Sequence, residues 1–215
     1  MSNLLNELFD NPLIADKIEK KLPHLFQLAS MESQRNGKVG MEVGSIREKI
    51  LIALLMHTFG VDAVNADLPI TEPEVDVFVH NVPLSIKTVT TTKGRWGGGI
   101  KLVWSVDADT AVRFKNNYTP SCDMLLAQIQ WGDSGYLYLF PKQAQTEIMN
   151  RIGKDAYMRL PKPGTNARGV ELTAAALNEL SQHPHTKRIK IFFKEETLDY
   201  KEVYVKWLNA WRESV

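Results

Sequence analysis

The stretch that decides the fold is EPEVDVFVHNVPLSIKT, residues 72–88. Apolar and polar residues alternate over 74–79 and again over 84–89, which is the pattern of two strands that are each buried on one face. The segment HNVP, residues 80–83, predicts the loop of a β-hairpin between them. We therefore expect a hairpin near the middle of the chain.

This hairpin is expected to place one carboxylate beside one ammonium group. If residues 80–83 form the loop, Val79 pairs with Leu84, and counting back places Asp76 opposite Lys87. Cβ atoms of directly opposed residues lie roughly 4.5–5.5 Å apart. In phosphodiester hydrolysis the Asp holds a divalent metal, and the Lys orients or deprotonates a water and offsets charge on the phosphate. A cross-strand salt bridge is the alternative interpretation.

Outward from the hairpin, the chain predicts one α/β domain with a central mixed sheet flanked by helices. Residues 1–36 are expected to be a helical segment packed on a core formed by residues 37–215. Further strands are predicted at 100–106, 123–130, 136–140 and 188–193, and helices at 107–117, 142–152, 173–180 and 200–212.

The part of the chain before the hairpin predicts helices. Residues 2–34 suggest two or three short ones, with Pro12 and Pro23 at first helical positions. Ser45-Ile46-Arg47-Glu48 has the spacing of a capping box and predicts the start of a helix that continues to Phe59. Because this helix is apolar on nearly every side, we expect it to be the central buried one.

Composition gives the class of protein but not the function. The net charge of +1 is low for a nucleic-acid-binding protein, so any DNA-binding surface must be local. No apolar run approaches the roughly 18 residues of a membrane span. The N-terminus lacks the basic region of a signal peptide. Cys122 is the only cysteine, which excludes an internal disulfide and suits a reducing cytoplasm.

A second motif strengthens the nuclease interpretation. Gly44 and Glu48 form a G-x-x-x-E element on the helix before the hairpin, and Glu48 either supports the site or caps its own helix. The arrangement resembles the PD-(D/E)XK nucleases, in which a helix glutamate supports a strand aspartate and an acid-x-Lys on the next strand. This sequence departs from that pattern because Ser85 occupies the acid's position. The substitute acid is expected to be Glu48, then Glu74, with Asp107 and Asp109 as helix-capping acids.

The resemblance implies a magnesium site and a catalytic group. The catalytic residues are expected to be Asp76, Lys87, Glu48 and Ser85. The ligands of Mg²⁺ are expected to be Asp76, Glu48 and Ile86.

Longer runs make the resemblance more specific. GKVGMEVGSIREKILIALL, ITEPEVDV followed by LSIKT, YTPSCDMLLAQIQW and LPKPGTNARGVEL together look like the ThaI-type restriction endonucleases over residues 37–172. This implies a homodimeric type II enzyme that cuts a short palindromic site in double-stranded DNA. It also implies a companion methyltransferase that protects the host genome without binding the nuclease stably.

Three loops are predicted to contact DNA. The alternative is an ordinary surface turn for residues 159–171 and a mobile hairpin tip for residues 93–99. Arg pairs well with guanine and Asn with adenine in the major groove, while basic and aromatic residues bind phosphates or stack on bases. Met41 could insert into a base step or pack in the core. The residues expected to bind DNA are Arg35, Lys38, Met41, Lys93, Arg95, Lys162, Thr165, Asn166 and Arg168.

Two other functions use the same residues. A structure-specific or repair nuclease, such as a junction resolvase, would share the hairpin and cut branched DNA. A DNA-binding protein with a decayed catalytic site would explain the serine at position 85.

Overall fold

The computed structural model describes residues 4–34, 41–69, 74–92, 96–97, 99–103, 108–160 and 169–212. The helices are α1 (Glu7–Asp10), α2 (Pro12–Gln34), α3 (Met41–Phe59), α4 (Ala108–Asn117), α5 (Lys142–Ile152), α6 (Lys154–Tyr157), α7 (Ala174–Ser181) and α8 (Val205–Arg212). The strands are β1 (Val64–Asn65), β2 (Val77–Val79), β3 (Val82–Thr90), β4 (Ile100–Val103), β5 (Asp123–Ile129), β6 (Ser134–Phe140), β7 (Met158–Arg159), β8 (Val170–Leu172) and β9 (Lys187–Phe192). Short 3-10 helices cover Leu4–Asn6, Val61–Ala63 and Tyr200–Tyr204.

Six strands form the central sheet in the order β1-β2-β3-β5-β6-β9. Strands β3 and β5 are parallel, and the other neighbours are antiparallel. A parallel pair needs a long crossover connection, which the segment containing β4 and α4 provides. The predicted mixed sheet with helices around it is confirmed.

The hairpin turn is shorter than the sequence pattern suggested. His80 and Asn81 form a two-residue turn with φ of 47° and 64°, so both residues adopt the left-handed conformation that a type I′ turn requires. Val77 therefore pairs with Leu84, and the predicted pairing of Val79 with Leu84 is wrong. Each residue's partner shifts by two, and an even shift leaves every side chain on its expected face.

The N-terminal segment also differs from the prediction. Residues 12–34 form one helix that contains Pro23. Pro12 is its first residue, and the side chain of Asn11 accepts hydrogen bonds from the N–H groups of Leu13 and Ile14, which caps the helix. Proline costs one backbone hydrogen bond inside a helix. Burial of Leu22 and Phe26 on either side of Pro23 offsets this cost.

Helix α3 begins at Met41, so the predicted capping box that starts at Ser45 is wrong. Only one side of this helix is fully buried, at Leu51 and Leu55, whereas Ala53 and His57 are exposed. The expectation of a helix buried on nearly all sides is therefore wrong as well. The long α2 packs on α3 from one side and leaves the other positions open.

A core lies on each side of the central sheet. The first contains residues of the N-terminal helices, α3 and the sheet, including Leu8, Phe26, Leu51, Leu55, Ile86, Leu125 and Phe193. The second contains residues of the C-terminal half, including Leu126, Phe140, Ile148, Tyr157, Val170, Leu172 and Leu177. In the described part of the chain, no helix is long and apolar enough to cross a membrane. The division of the chain at residue 36 stays a prediction.

A second sheet, in the order β4-β8-β7, was not expected from the sequence. Strand β4 was predicted, but its partners are strands of two or three residues that carry almost no periodicity. Gly99 allows the close approach of β4 to β8, because a Cβ at this position would lie 2.3 Å from the carbonyl oxygen of Leu172. Small residues at such positions permit backbone contacts that a side chain would block.

The strained turn gives a prediction about stability. Glycine is the preferred second residue of a type I′ turn, so Asn81→Gly should raise the free energy of unfolding by about 0.5–1 kcal/mol. The measurement is chemical denaturation at constant pH. Asn81→Ala is the matched control and should lower stability, because alanine lacks the short polar side chain with which asparagine tolerates positive φ. A lower stability in the glycine variant would contradict this description of the turn.

Candidate active site

The carboxylate of Asp76, just before β2, is fixed by the neighbouring strand. Its Oδ2 accepts hydrogen bonds from Ser85 Oγ at 3.1 Å, the backbone N–H of Ile86 at 2.7 Å and Lys87 Nζ at 2.9 Å. The backbone N–H of Asp76 donates to the carbonyl of Leu84 at 3.0 Å. Three successive residues of β3 thus converge on one carboxylate oxygen, and that strand sets its position.

The structure brings Asp76 and Lys87 together despite the changed register. Extending the observed pairing by one residue places Ser85, not Lys87, opposite Asp76. The long lysine side chain reaches back along the same face to form the ion pair. The two side chains are 33% and 15% exposed, respectively, so the pair is partly shielded but can be reached from solvent.

Glu48 lies on α3 and faces this pair. Burial raises the pKa of Glu48 to about 7, with a lowering effect from the charge of Lys87 and a raising effect from Asp76. No described residue donates a hydrogen bond to its carboxylate. The alternative role of capping its own helix is wrong, because α3 begins at Met41 and Glu48 is well inside it.

Two partly shielded carboxylates beside each other fit a divalent cation. Carboxylate oxygens are ligands that Mg²⁺ accepts, and a cation offsets the repulsion and the burial cost that raise the pKa of Glu48. Among the described residues, no group of three or more His, Cys, Asp or Glu side chains could hold a metal. Asp76 and Glu48 would therefore need a further ligand from the backbone, the substrate or water.

Ser85 contributes to the candidate site through its hydroxyl group, and Ile86 contributes through its backbone. Ser85 is fully buried, and its hydroxyl donates to Asp76, so it holds the aspartate and does not replace the absent acid. The side chain of Ile86 is also fully buried. Its N–H points to Asp76, and in a strand the carbonyl of the same residue points to the same side. That carbonyl is the one oxygen that Ile86 could offer a metal.

Glu48 and Lys87 line a cleft of about 410 Å³ between α3, β3 and β4. Helix α3 contributes Glu48 to the lining, β3 contributes Lys87, and β4 contributes Lys101. The lining residues are Gly44, Ser45, Glu48, Lys87, Thr88, Val89, Gly99, Ile100, Lys101 and Leu102. The absence of a side chain at Gly44 keeps space open near Glu48, since a Cβ there would meet nothing within 4 Å.

Glu74, the weaker candidate for the missing acid, is held elsewhere. It is 5% exposed, and its carboxylate accepts hydrogen bonds from Tyr118 Oη at 2.6 Å and the backbone N–H of Ser121 at 2.9 Å. The hydroxyl of Ser121 donates to it as well. Burial, and then the charge of Glu74, raise the pKa of Tyr118. Glu74 therefore anchors the segment that leads into Asp76.

The remaining acidic candidates are outside the cluster. Asp109 is exposed in the first turn of α4. It lies inside the helix and not at the expected capping position, and the helix dipole stabilises a carboxylate there. Asp107 lies outside the described residues.

Arg47 is a buried cation that the sequence did not single out. It is 5% exposed and donates from Nη1 to Thr90 Oγ1 and from Nη2 to Ser30 Oγ, each at 3.0 Å. Its guanidinium lies 5.7 Å from the ring centre of Phe26. Burial lowers its pKa to about 10. Arg47 ties α3 to β3 and α2, which fixes the helix that carries Glu48.

The residues expected to contact DNA lie almost entirely outside the described part of the chain. Met41 is the first residue of α3, but its side chain is not described. The others outside the described residues are Arg35, Lys38, Lys93, Arg95, Lys162, Thr165, Asn166 and Arg168. Their contacts with DNA stay predictions.

Comparison with known proteins agrees with the geometry. The sequence model of the family described as restriction endonuclease ThaI matches residues 8–213. A solved structure titled "Restriction endonuclease in complex with substrate DNA" is similar, with a TM-score of 0.86 and 45% sequence identity. That similarity covers 99% of this chain and 100% of the other. No curated protein sequence matches. The chain is therefore a member of the ThaI restriction endonuclease family.

Proposed function

We propose that this chain is a type II restriction endonuclease that uses Mg²⁺ to hydrolyse both strands of a short palindromic site in double-stranded DNA. The observation that carries the proposal is the ion pair between Asp76 Oδ2 and Lys87 Nζ at 2.9 Å, beside the partly buried carboxylate of Glu48. Family membership and a neighbour solved with substrate DNA support it.

The proposed reaction is attack of a water oxygen on phosphorus, with cleavage of the ester bond to the leaving oxygen. Lys87 Nζ orients the attacking water and stabilises negative charge on the phosphate oxygens in the transition state. Asp76 holds Lys87 in place through their ion pair. The donors on β3 fix the position of that carboxylate before substrate arrives, which lowers the cost of organising the site.

Magnesium would be held by Asp76, Glu48 and the backbone carbonyl of Ile86. When bound, it would supply a Lewis acid that lowers the pKa of a coordinated water and neutralises phosphate charge. Ser85 assists by holding Asp76. Glu48 then takes the role of the acid that the family pattern places at position 85, reaching the site from α3 and not from β3.

A homodimer is the assembly that this function needs. The described residues contain one Asp76–Lys87 pair per chain, whereas a duplex has two strands to cut. Two copies related by a twofold axis would match the symmetry of a palindrome and present one pair to each strand. A companion methyltransferase of the same specificity would protect the host DNA in the cytoplasm.

Base recognition is assigned to three segments of the chain that lie almost entirely outside the described residues. Lys93 and Arg95 precede β4, which forms one wall. Lys162, Thr165, Asn166 and Arg168 lie between β7 and β8, and Arg35, Lys38 and Met41 precede or begin α3. Two of the three segments adjoin elements that line the cleft, and the third leads into β8, which pairs with β4. We propose that they contact DNA phosphates or base edges.

A structure-specific nuclease is the second candidate, and digestion of a plasmid separates the two. With Mg²⁺, a type II enzyme should give discrete fragments whose sequenced ends share one short palindrome. A resolvase would leave linear duplex intact and cut branched DNA. Tight binding of DNA with no cleavage under any divalent cation would indicate a decayed site and refute the proposal.

The catalytic roles of Asp76 and Lys87 can be tested by substitution. Asp76→Asn and Lys87→Ala should each lower the cleavage rate by about 10²–10⁴-fold or more, since they remove groups that act on the reacting atoms. DNA binding should persist. Lys190→Ala is a matched control on β9, three strands away from β3 in the sheet, and should cut at the wild-type rate. Wild-type cleavage by either active-site variant would contradict the assignment.

Glu48 can be tested without measuring activity. Its pKa of about 7 in the folded protein lies above the ordinary value of 4.5, so its ionisation destabilises the metal-free fold. The free energy of unfolding therefore begins to fall as the pH rises past 4.5, and the fall is complete above about 7. Because glutamine stays neutral, Glu48→Gln should have a higher Tm than wild type at pH 8, and the difference should shrink towards pH 5.

Addition of Mg²⁺ at pH 8 should make the Tm of wild type higher than the Tm of Glu48→Gln. A ligand that binds only the folded state raises the Tm, so Mg²⁺ at pH 8 should stabilise wild type more than Glu48→Gln. Equal stabilisation of both proteins would remove Glu48 from the metal site. An equal Tm at pH 8 without metal would show that Glu48 is not destabilised by burial.

A further inference from the structure

The small sheet β4-β8-β7 has one apolar and one charged face. Ile100, Leu102, Met158, Val170 and Leu172 are buried in the second core. The alternate residues of these strands lie on the other face, because side chains alternate along a strand. That face carries charge where the three strands are in register.

Three charged side chains form a row across this face. Lys101 pairs in register with Glu171, and Glu171 pairs with Arg159. Arg159 contacts Glu171 Oε2 from Nε at 2.8 Å and from Nη2 at 2.7 Å. The order is cation, anion, cation, and the net charge is positive. We call these residues, Lys101, Glu171 and Arg159, the charged row.

The row begins inside the candidate active-site cleft. Lys101 lines the cleft together with Glu48 and Gly99. Gly99 lies so close to β8 that a Cβ at this position would be 2.3 Å from the carbonyl oxygen of Leu172. Arg159, at the far end, is 53% exposed. The row therefore leads from the cleft to the open surface.

We propose that the charged row binds the sugar-phosphate backbone of duplex DNA beside the scissile phosphate, independently of base sequence. This inference rests on the proposed function, because it assigns a further contact with the same substrate. It concerns affinity and position, whereas Asp76 and Lys87 act on the reacting phosphate.

The spacing of the two cations suits this role. Adjacent strands are roughly 4.8 Å apart, so Lys101 and Arg159 stand about 10 Å apart across two strand spacings. One DNA strand advances about 3.4 Å per phosphate along the helix axis. The row thus spans about three nucleotide steps, which is enough for two separate phosphate contacts on one strand.

Glu171 prepares Arg159 for such a contact. Because Nε and Nη2 both face Glu171, the planar guanidinium is fixed in orientation and Nη1 is directed away from the carboxylate. Fixing the side chain before binding lowers the entropy lost when DNA arrives. Backbone contacts of this kind set the register of a protein on DNA. Here they would align residues 161–168, which lie in sequence between Arg159 and Glu171.

The test is equilibrium binding of a fluorescent duplex of arbitrary sequence, followed by anisotropy over a series of salt concentrations with EDTA present to prevent cleavage. Lys101→Ala and Arg159→Ala should each weaken binding by about fivefold, to the same extent for unrelated duplexes. Each should reduce the slope of log K against log salt by about 0.9, and the double variant by about 1.8.

Charge-preserving variants separate a DNA contact from a folding defect. Lys101→Arg and Arg159→Lys should keep the wild-type slope, and thermal melting should confirm that every variant is folded. Lys190→Ala removes one positive charge from β9 and should leave the slope unchanged. A double alanine variant that is folded and has the slope of Lys190→Ala would overturn the inference.

The failure of this inference differs from the failure of the proposed function. If wild type cuts a plasmid at discrete sites while the alanine variants keep its salt slope, the enzyme assignment stands and the row has no contact with DNA. If wild type neither binds duplex DNA nor cuts it, the proposed function fails first and the row fails with it.

Discussion

The carboxylate of Asp76 is the point on which the site depends. It carries negative charge close to a lysine and to a second carboxylate, and three donors from consecutive residues of β3 hold one of its oxygens. Charge-assisted hydrogen bonds of this kind are stronger than neutral ones. The hairpin turn at His80 and Asn81 brings the two strands into the register that allows them, so a strained turn and a catalytic geometry are linked.

Glu48 shows what this arrangement costs the fold. The pKa of Glu48 is about 7, so the metal-free fold is more stable when this carboxyl group is protonated than when it is ionised. Arg47, the residue before it, is a buried guanidinium bonded to the hydroxyls of Thr90 and Ser30. These two charged neighbours on α3 contribute differently. Arg47 fixes the helix against the sheet, and Glu48 uses that fixed position to face the cleft.

The second sheet changes how DNA binding should be understood in a protein of net charge +1. Two of the positive charges, Lys101 and Arg159, lie on a face of the small sheet whose reverse side is packed in the second core. Because phosphate attraction depends on local charge and geometry, a nearly neutral chain can still hold a polyanion.

The sequence by itself determined the α/β class, the hairpin and the residues of the Asp76–Lys87 pair. The alternation of apolar and polar residues along a strand predicts the face on which each side chain lies. This prediction stays correct when the register is wrong by an even number of residues. Only the tertiary structure decided the two-residue turn, because positive φ at His80 and Asn81 is stabilised by the strands around them. It also decided that Glu48 meets the pair from a separate helix and that Lys101, Glu171 and Arg159 align. These contacts join residues that are distant in the chain. Local sequence patterns do not predict the distances between separate helices and strands.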